Sequence, residues 1–416
     1  MRMVKLPKVV VIGGGPAGML AAGQAAGLGA HVILLERNDR LGKKLVITGK
    51  GRCNVTNDAD LDTLIRNIPG NGRFLYGAFS AFGSRELQEL LRAYGVALKV
   101  ERGNRVFPES DRSFDVVDGL RRFLDRQGVR VQLGARVEEI QVSNDQVTGV
   151  VVNRQSMPAE AVIVCAGGAS YPATGSTGDG FRLAERLGHT IVSPRPALVP
   201  LEVKEQWAKE LMGLALKNVQ VTLYQSGKAL GNEFGEMLFT HFGLSGPIIL
   251  TLSRLVTHQE GREPIIASVN LKPALNLDQL DLRLQRDFSK YQRKQLKNAL
   301  DELLPQRLIP VVITQSGLNL EKPVHQITRE DRQALVNTLT SLCLTVTGTR
   351  PLDEAIVTAG GVSVKEINPK TMESKLVKGL FFAGEVMDID GYTGGFNLQA
   401  AFSTGFLAGT YASQTK

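Results

Sequence analysis

The sequence predicts an α/β fold in which both ends of the chain build one parallel sheet while the middle folds separately. Three observations predict it. A short apolar run, Lys8–Ile12, leads into a glycine loop and a small-residue helix. Two more fully apolar runs, Ala161–Cys165 and Leu380–Ala383, also end in glycines. Between about 194 and 345 the pattern changes to alternating runs and charged helical stretches.

Lys8–Ile12 (KVVVI) is continuous and rich in Val, as a strand buried on both faces must be. Gly13–Gly18 follows, then helix formers, then the run His31–Leu35, which closes a βαβ unit. Residues 40–57 are basic and Gly-rich and predict a loop. Apolar periodicity predicts helices at 84–94 and 113–127, stopped by Gly95 and Gly128. Val129–Leu133, Val137–Val142 and Val147–Val152 read as strands. Pro194, Pro196 and Pro200 mark a boundary, because proline lacks the amide donor that regular structure uses. Beyond it, alternation such as Val219–Tyr224 predicts an antiparallel sheet, and 277–304 reads as helical and highly charged. Ala355–Thr358 returns to a strand before Gly360–Gly361, and Leu380–Ala383 is the last buried strand. The expected domains are 1–193 with 346–416, and an inserted 194–345 whose helical part covers about 277–340.

A hydrophobic share of 43% beside 22% charged residues is that of a chain able to bury a core. The net charge of +8 bears on partners rather than fold: it suits an anionic cofactor, and RNA is the alternative. Cys53, Cys165 and Cys343 form no CxxC pair and no disulfide framework. His31, His189, His241, His258 and His325 show no metal-binding spacing, so no metal is expected. The N-terminal apolar run is broken by Gly13–Gly15 and Pro16, which favours a strand over a signal peptide. No run approaches the roughly 18 apolar residues of a membrane span. The expected location is the cytoplasm.

Three glycine-rich segments carry chemistry. In Gly13-x-Gly15-x-x-Gly18, the first glycine allows a tight turn, the second lets backbone approach a pyrophosphate, and the third packs helix on sheet. Pro16 and Ala17 open the helix whose N-terminus favours that anion. Glu36 ends the next strand, where an acidic residue takes an adenosine ribose. The second segment runs from Ala166, Gly167 and Gly168 to Thr174 and Gly175. The third is Gly379–Ala400, where Gly384 and Glu385 follow a strand and Gly394–Gly395 opens a helix near Asn397. That helix start suits the negative charge of a reduced flavin. Cys165 reads as a buried small hydrophobe.

Thr48–Asn57 (TGKGRCNVTN), Leu238–Pro247 (LFTHFGLSGP) and Gly391–Asn397 resemble a bacterial family of aminoacetone-oxidase-like, or BaiN/YhiN-like, NAD(P)/FAD-dependent oxidoreductases. That family lies within the two-dinucleotide-binding-domain flavoprotein superfamily. The resemblance spans essentially the whole chain. It implies a discontinuous Rossmann-like FAD-binding domain with an inserted β-rich domain and a small helical subdomain. It implies FAD bound tightly and without a covalent link. Gly13, Gly15, Ala17 and Gly18 would then face the pyrophosphate, Glu36 and Arg37 the adenosine, and Val137 the adenine. Lys44, Gly51, Arg52, Cys53 and Asn54 would approach the flavin, and Glu385, Asp390, Asn397 and Leu398 would close the site.

The sequence has no second GxGxxG unit after a strand, so NAD(P)H is expected to dock transiently. The leading expectation is hydride transfer from NAD(P)H through the flavin to an unsaturated small-molecule substrate. The alternatives are oxidation of a small amine such as aminoacetone, and reduction of a ribosomal RNA uridine. Cys53, beside the cation Arg52, reads either as a proton donor activated toward thiolate or, the favoured reading, as a packed loop cysteine. His241 either lines a substrate cleft or caps a turn. The basic, aromatic-bearing stretch Arg286–Lys297 is either a solvated helix face, the favoured reading, or a surface for RNA phosphate.

Overall fold

A computed structural model describes residues 6–257 and 263–415. His258 lies outside them, as does the head of the N-terminal run, Met1–Lys5. The chain divides into two units, one formed by Met1–Pro196 with Leu352–Lys416 and the other by Ala197–Pro351.

The first unit is organised by a five-stranded parallel sheet in the order Leu380–Phe382, Ala161–Val164, Lys8–Ile12, His31–Glu36, Arg130–Leu133. Its register pairs Val10 with Val162 on one side and Ile33 on the other, and Val162 in turn with Leu380. The central strands are buried on both faces, which is why they read as unbroken apolar runs. The helix Pro16–Gly27 crosses from the first strand to the second, and the C-terminal helix Phe396–Ala412 packs along it. Gly405 and Gly409 lie directly against the carbonyls of Ala17 and Ala21, leaving no space for a side chain between the two helices. Smaller antiparallel sheets form from 56–57, 98–101 and 105–108, and from 137–143, 146–152 and 155–158.

Four stretches depart from the sequence reading. Residues 40–57 are not all loop: Lys43–Ile47 is a short helix that buries Leu45, followed by the tight turn Thr48–Gly51. The proline-marked stretch, where the two units divide after Pro196, also forms a strand, Ile191–Ala197, paired with Val357–Val362 in a two-stranded sheet. Pro194 and Pro196 alternate along it, so their missing amides fall on one side, and a strand of a two-stranded sheet has one edge that needs no partner. Gly360 and Gly361 lie inside the partner strand, not after it. The charged stretch 277–304 stays helical only over Leu277–Lys290 and then breaks into turns.

The second unit holds a closed six-stranded barrel in the order 201–203, 243–245, 228–239, 215–225, 265–270, 342–349. The helices Leu277–Lys290, Ile309–Gln315 and Arg329–Thr340 follow the barrel strand 265–270. Leu280, Leu284, Phe288, Leu335 and Leu339 share its apolar core. Asn276 with Gln279, and Thr328 with Asp331, cap two of these helices reciprocally.

Candidate functional site

The glycine loop leaves the first strand at Gly13, whose φ of 106° favours glycine. A Cβ there would overlap the carbonyl oxygen of Cys165, and one at Gly18 would overlap that of Gly13. Cys165 therefore acts as packing, and burial pushes its thiol well above the usual range. Gly15 differs from both: a Cβ there would meet nothing among the described residues within 4 Å. It is the N-cap of the helix that Pro16 and Ala17 open, so open space lies over free helix amides.

Glu36 is buried at the end of the second strand and ties this loop down. Its Oε2 accepts from the Gly14 amide at 2.7 Å, and its Oε1 accepts from the Asn38 amide at 2.8 Å and from Asn38 Nδ2 at 2.7 Å. Asn38 Nδ2 also donates to the Thr174 carbonyl at 3.0 Å, which brings Thr174 and Gly175 to the same corner. Arg37 turns away to Thr177 Oγ1 and Asp179, at 2.7 and 2.8 Å. Arg136 and Arg182 also pair with Asp179. Val137 is buried at the start of the neighbouring strand.

A second cluster joins four distant segments. Lys44 Nζ donates to Glu385 Oε2 at 2.9 Å and to Ser170 Oγ at 2.8 Å. The Thr358 amide donates to Glu385 Oε1 at 2.8 Å, while Thr358 Oγ1 accepts from the amides of Ala169 and Ser170. Gly168 packs against Thr358 and Glu385, with Ala166 and Gly167 just before it after the strand Ala161–Val164. Glu385 follows Gly384, whose amide donates to Thr404 Oγ1 on the C-terminal helix at 3.0 Å.

The third part is the turn at 49–54. Gly49, Lys50, Gly51 and Cys53 all have positive φ, an uncommon run of left-handed backbone. An ion network holds it: Arg52 pairs with Glu101 and Asp111, Lys99 pairs with Asp111 at 2.8 Å, and the Arg52 guanidinium lies 4.2 Å over the Phe107 ring. Hydrogen bonding to Glu101 and then Asp111 raises the Arg52 pKa. Asn54 Oδ1 is buried with no hydrogen-bond partner among the described residues. An orphaned acceptor of this kind calls for a donor from a ligand.

The geometry gives the activated-thiolate reading of Cys53 no support. The side chain is fully buried and desolvation pushes its pKa up to about 12, while the neighbouring cation is spent on two carboxylates. His241 lies in the second unit on an exposed turn, edge-on to Phe242 at 4.8 Å. Thr240 Oγ1 caps that turn by accepting from the Gly243 amide at 3.2 Å.

At the C-terminal segment, Gly395 is the left-handed N-cap of the helix Phe396–Ala412. Asn397 clasps its own loop, its Oδ1 accepting from the Gly391 amide at 2.7 Å and its Nδ2 donating to the Gly391 carbonyl at 2.8 Å. Asp390 is buried and Leu398 is partly buried. Sequence reasoning missed Ser170, Thr358, Asn71 and Asp388. Asn71 Nδ2 donates to Asp388 Oδ2 at 3.0 Å, and burial followed by the like charge of Asp390 pushes the Asp388 pKa up. The signal available for Asp388 was its spacing from Asp390 in a buried loop.

Among the described residues, no group of three or more His, Cys, Asp or Glu could hold a metal ion, and no helix is long and apolar enough to cross a membrane. A dinucleotide fits the residues present, because Gly15 leaves open space over free helix amides and Asn54 offers an unused acceptor.

The model of the HI0933-like protein Rossmann domain matches residues 7–411. The 3-dehydro-bile acid delta(4,6)-reductase of Clostridium scindens is 33% identical over 98% of this chain and 99% of its own. The ribosomal RNA dihydrouridine synthase of Escherichia coli is 32% identical over 95% of each chain. Among solved structures, the 3-ketosteroid-delta4-(5alpha)-dehydrogenase of Rhodococcus jostii superposes with a TM-score of 0.54 at 15% identity, covering 99% of this chain and 98% of that one. This last likeness is one of fold.

Proposed function

The chain belongs to the HI0933-like family of Rossmann-domain proteins, and from that premise we propose that it is an FAD-dependent reductase. It takes hydride from NAD(P)H and delivers it to a carbon–carbon double bond conjugated to a carbonyl. The unit formed by 1–196 and 352–416 is the FAD-binding domain, and 197–351 is the substrate domain. The reading sets it in the cytoplasm, where NAD(P)H is available and three unpaired cysteines stay reduced.

One observation carries the cofactor assignment: the open space at Gly15 lies over the N-terminus of Pro16–Gly27 beside a Glu36 already fixed to the same loop. FAD, when bound, supplies the hydride acceptor and donor. The chain's residues bind and orient it without a covalent bond. The amides after Gly15 hold the pyrophosphate, and Glu36 accepts from the adenosine ribose with its remaining lone pairs. Lys44, Glu385 and Asn54 stand on the flavin side, and the uncapped amides at Phe396–Leu398 favour negative charge there.

The substrate class is supported by the two sets of relatives, whose names describe saturation of a double bond next to a carbonyl, in a steroid acid and in a uridine ring. Anaerobic mixing tests it. NADH or NADPH should bleach the flavin and a conjugated enone should restore its colour; bleaching by aminoacetone alone would instead identify an amine oxidase. The RNA reading is favoured by the ribosomal RNA dihydrouridine synthase relative and by Arg286, Arg293 and Lys294, exposed along one basic stretch of the second unit. RNA copurifying at low salt, seen as a raised 260/280 nm ratio, would support it.

A further inference from the structure

Arg195 lies between Pro194 and Pro196 in the strand Ile191–Ala197. Proline fixes its own φ and drives the residue before it toward extended backbone. Arg195 is therefore held in a stiff frame before any packing is considered. The partner strand Val357–Val362 carries two amides that donate to carboxylates, Thr358 to Glu385 and Gly360 to Asp388. Arg195 thus sits one strand away from the Lys44–Glu385 cluster, and its charge acts on Asp388.

The guanidinium is not fully used. Arg195 Nε is buried and has no hydrogen-bond partner among the described residues. A buried donor on a cation is costly to leave unmade, and native folds rarely tolerate one without a reason. Asp388 accepts from Asn71 Nδ2 at 3.0 Å and from the Gly360 amide, and makes no hydrogen bond to Arg195 Nε. An acceptor from outside the described residues would meet this need.

We infer that Arg195 is a substrate-binding residue whose Nε donates to the carbonyl oxygen of the conjugated substrate. The inference rests on the proposed function. In that reaction a hydride, drawn from NAD(P)H, bonds to the carbon β to the carbonyl. The π electrons shift so that negative charge collects on the carbonyl oxygen, and a proton from solvent then bonds to the α carbon. NAD(P)H leaves as NAD(P)⁺ and the double bond is saturated. A fixed cationic donor at that oxygen favours the charged species over the neutral ketone. Asp388, facing the same guanidinium, is a positioning residue.

The test uses pentafluorophenolate, an anion that resembles the enolate oxygen and is ionised at neutral pH. Its binding to purified holoprotein is read from the perturbed flavin spectrum. Arg195→Gln should retain FAD and be bleached by NAD(P)H at the wild-type rate, yet bind the phenolate roughly tenfold or more weakly. Arg195→Lys keeps the charge without the planar Nε donor and should fall between; it serves if the glutamine variant does not fold. Wild-type protein that carries FAD but binds the phenolate no better than Arg195→Gln would overturn the inference and leave the proposed function standing. Wild-type protein that carries no FAD would overturn both.

Discussion

Lys44 and Glu385 are 341 positions apart in the chain, and their charged groups meet at 2.9 Å. The pair joins the short helix after the second strand to the segment that follows the last one. Each side chain remains about one-fifth exposed, 21% in both cases, so solvent screens the bond and its value lies in placement more than in energy. Glu385→Gln should lower thermal stability modestly, on the order of 1 kcal/mol, while clearly weakening FAD retention. The ratio of flavin to protein absorbance after dialysis measures the second effect, and an unchanged ratio would remove Glu385 from the flavin site.

Gly15→Val should separate binding from folding. A side chain there meets open space, and the backbone, with φ of −81°, accepts any residue. The apo fold should lose no more than about 1 kcal/mol, the usual cost of a poor N-cap. FAD should be lost, because the valine occupies the pyrophosphate position. Gly395→Leu gives no such separation. A Cβ there overlaps the backbone of Thr56, and φ is 100°, so the expected result is a poorly folded protein. Circular dichroism of the two variants without flavin distinguishes them.

The three cysteines should differ sharply toward a thiol reagent. Cys343 is exposed, whereas Cys53 and Cys165 are buried. Titration of native protein near pH 8 should show one fast thiol, with the other two appearing on denaturation. For Cys53 the folded pKa, about 12, stands above the unfolded value. The unfolded chain therefore gives up this proton first as pH rises. The stability that goes with the neutral buried thiol is full below the unfolded pKa and is lost as pH climbs toward 12.

His189 should contribute acid sensitivity. Its ring is buried, 3.2 Å from Glu366 Oε2 through Nδ1 and 2.9 Å from Ser374 Oγ through Nε2. Burial lowers its pKa, outweighing the opposing pull of Glu366. With the folded value depressed, the unfolded chain binds the proton first as pH falls below the usual histidine range. Melting temperature should therefore drop between about pH 7 and pH 5, and His189→Gln should flatten that part of the curve.

The glycine loop and its tie to Glu36 were legible because their parts are local. Gly13, Gly15, Gly18 and Glu36 belong to one βαβ unit, and their spacing alone fixes the loop. The Lys44–Glu385 cluster was only partly legible. Lys44 and Glu385 were read from resemblance, but Ser170 and Thr358, which connect them, come from segments that only the tertiary fold brings together. The prolines around Arg195 marked the division between the units, but nothing local showed that they also lie in a strand. Cys53 was offered a cation by its neighbour in sequence, and the fold gave that cation to Glu101 and Asp111 instead.

The parallel sheet has a consequence for synthesis. Ala161–Val164 waits for Leu380–Phe382 as its outer neighbour, and the helix Pro16–Gly27 waits for Phe396–Ala412. At about 5–20 residues per second, the ribosome needs on the order of ten to forty seconds to cover the gap between those two strands. The barrel-bearing segment 197–351 is contiguous and emerges whole in the meantime. The nascent chain thus carries a finished middle and an open-sided beginning, whose apolar strand edge is a target for chaperones until the last helix leaves the exit tunnel.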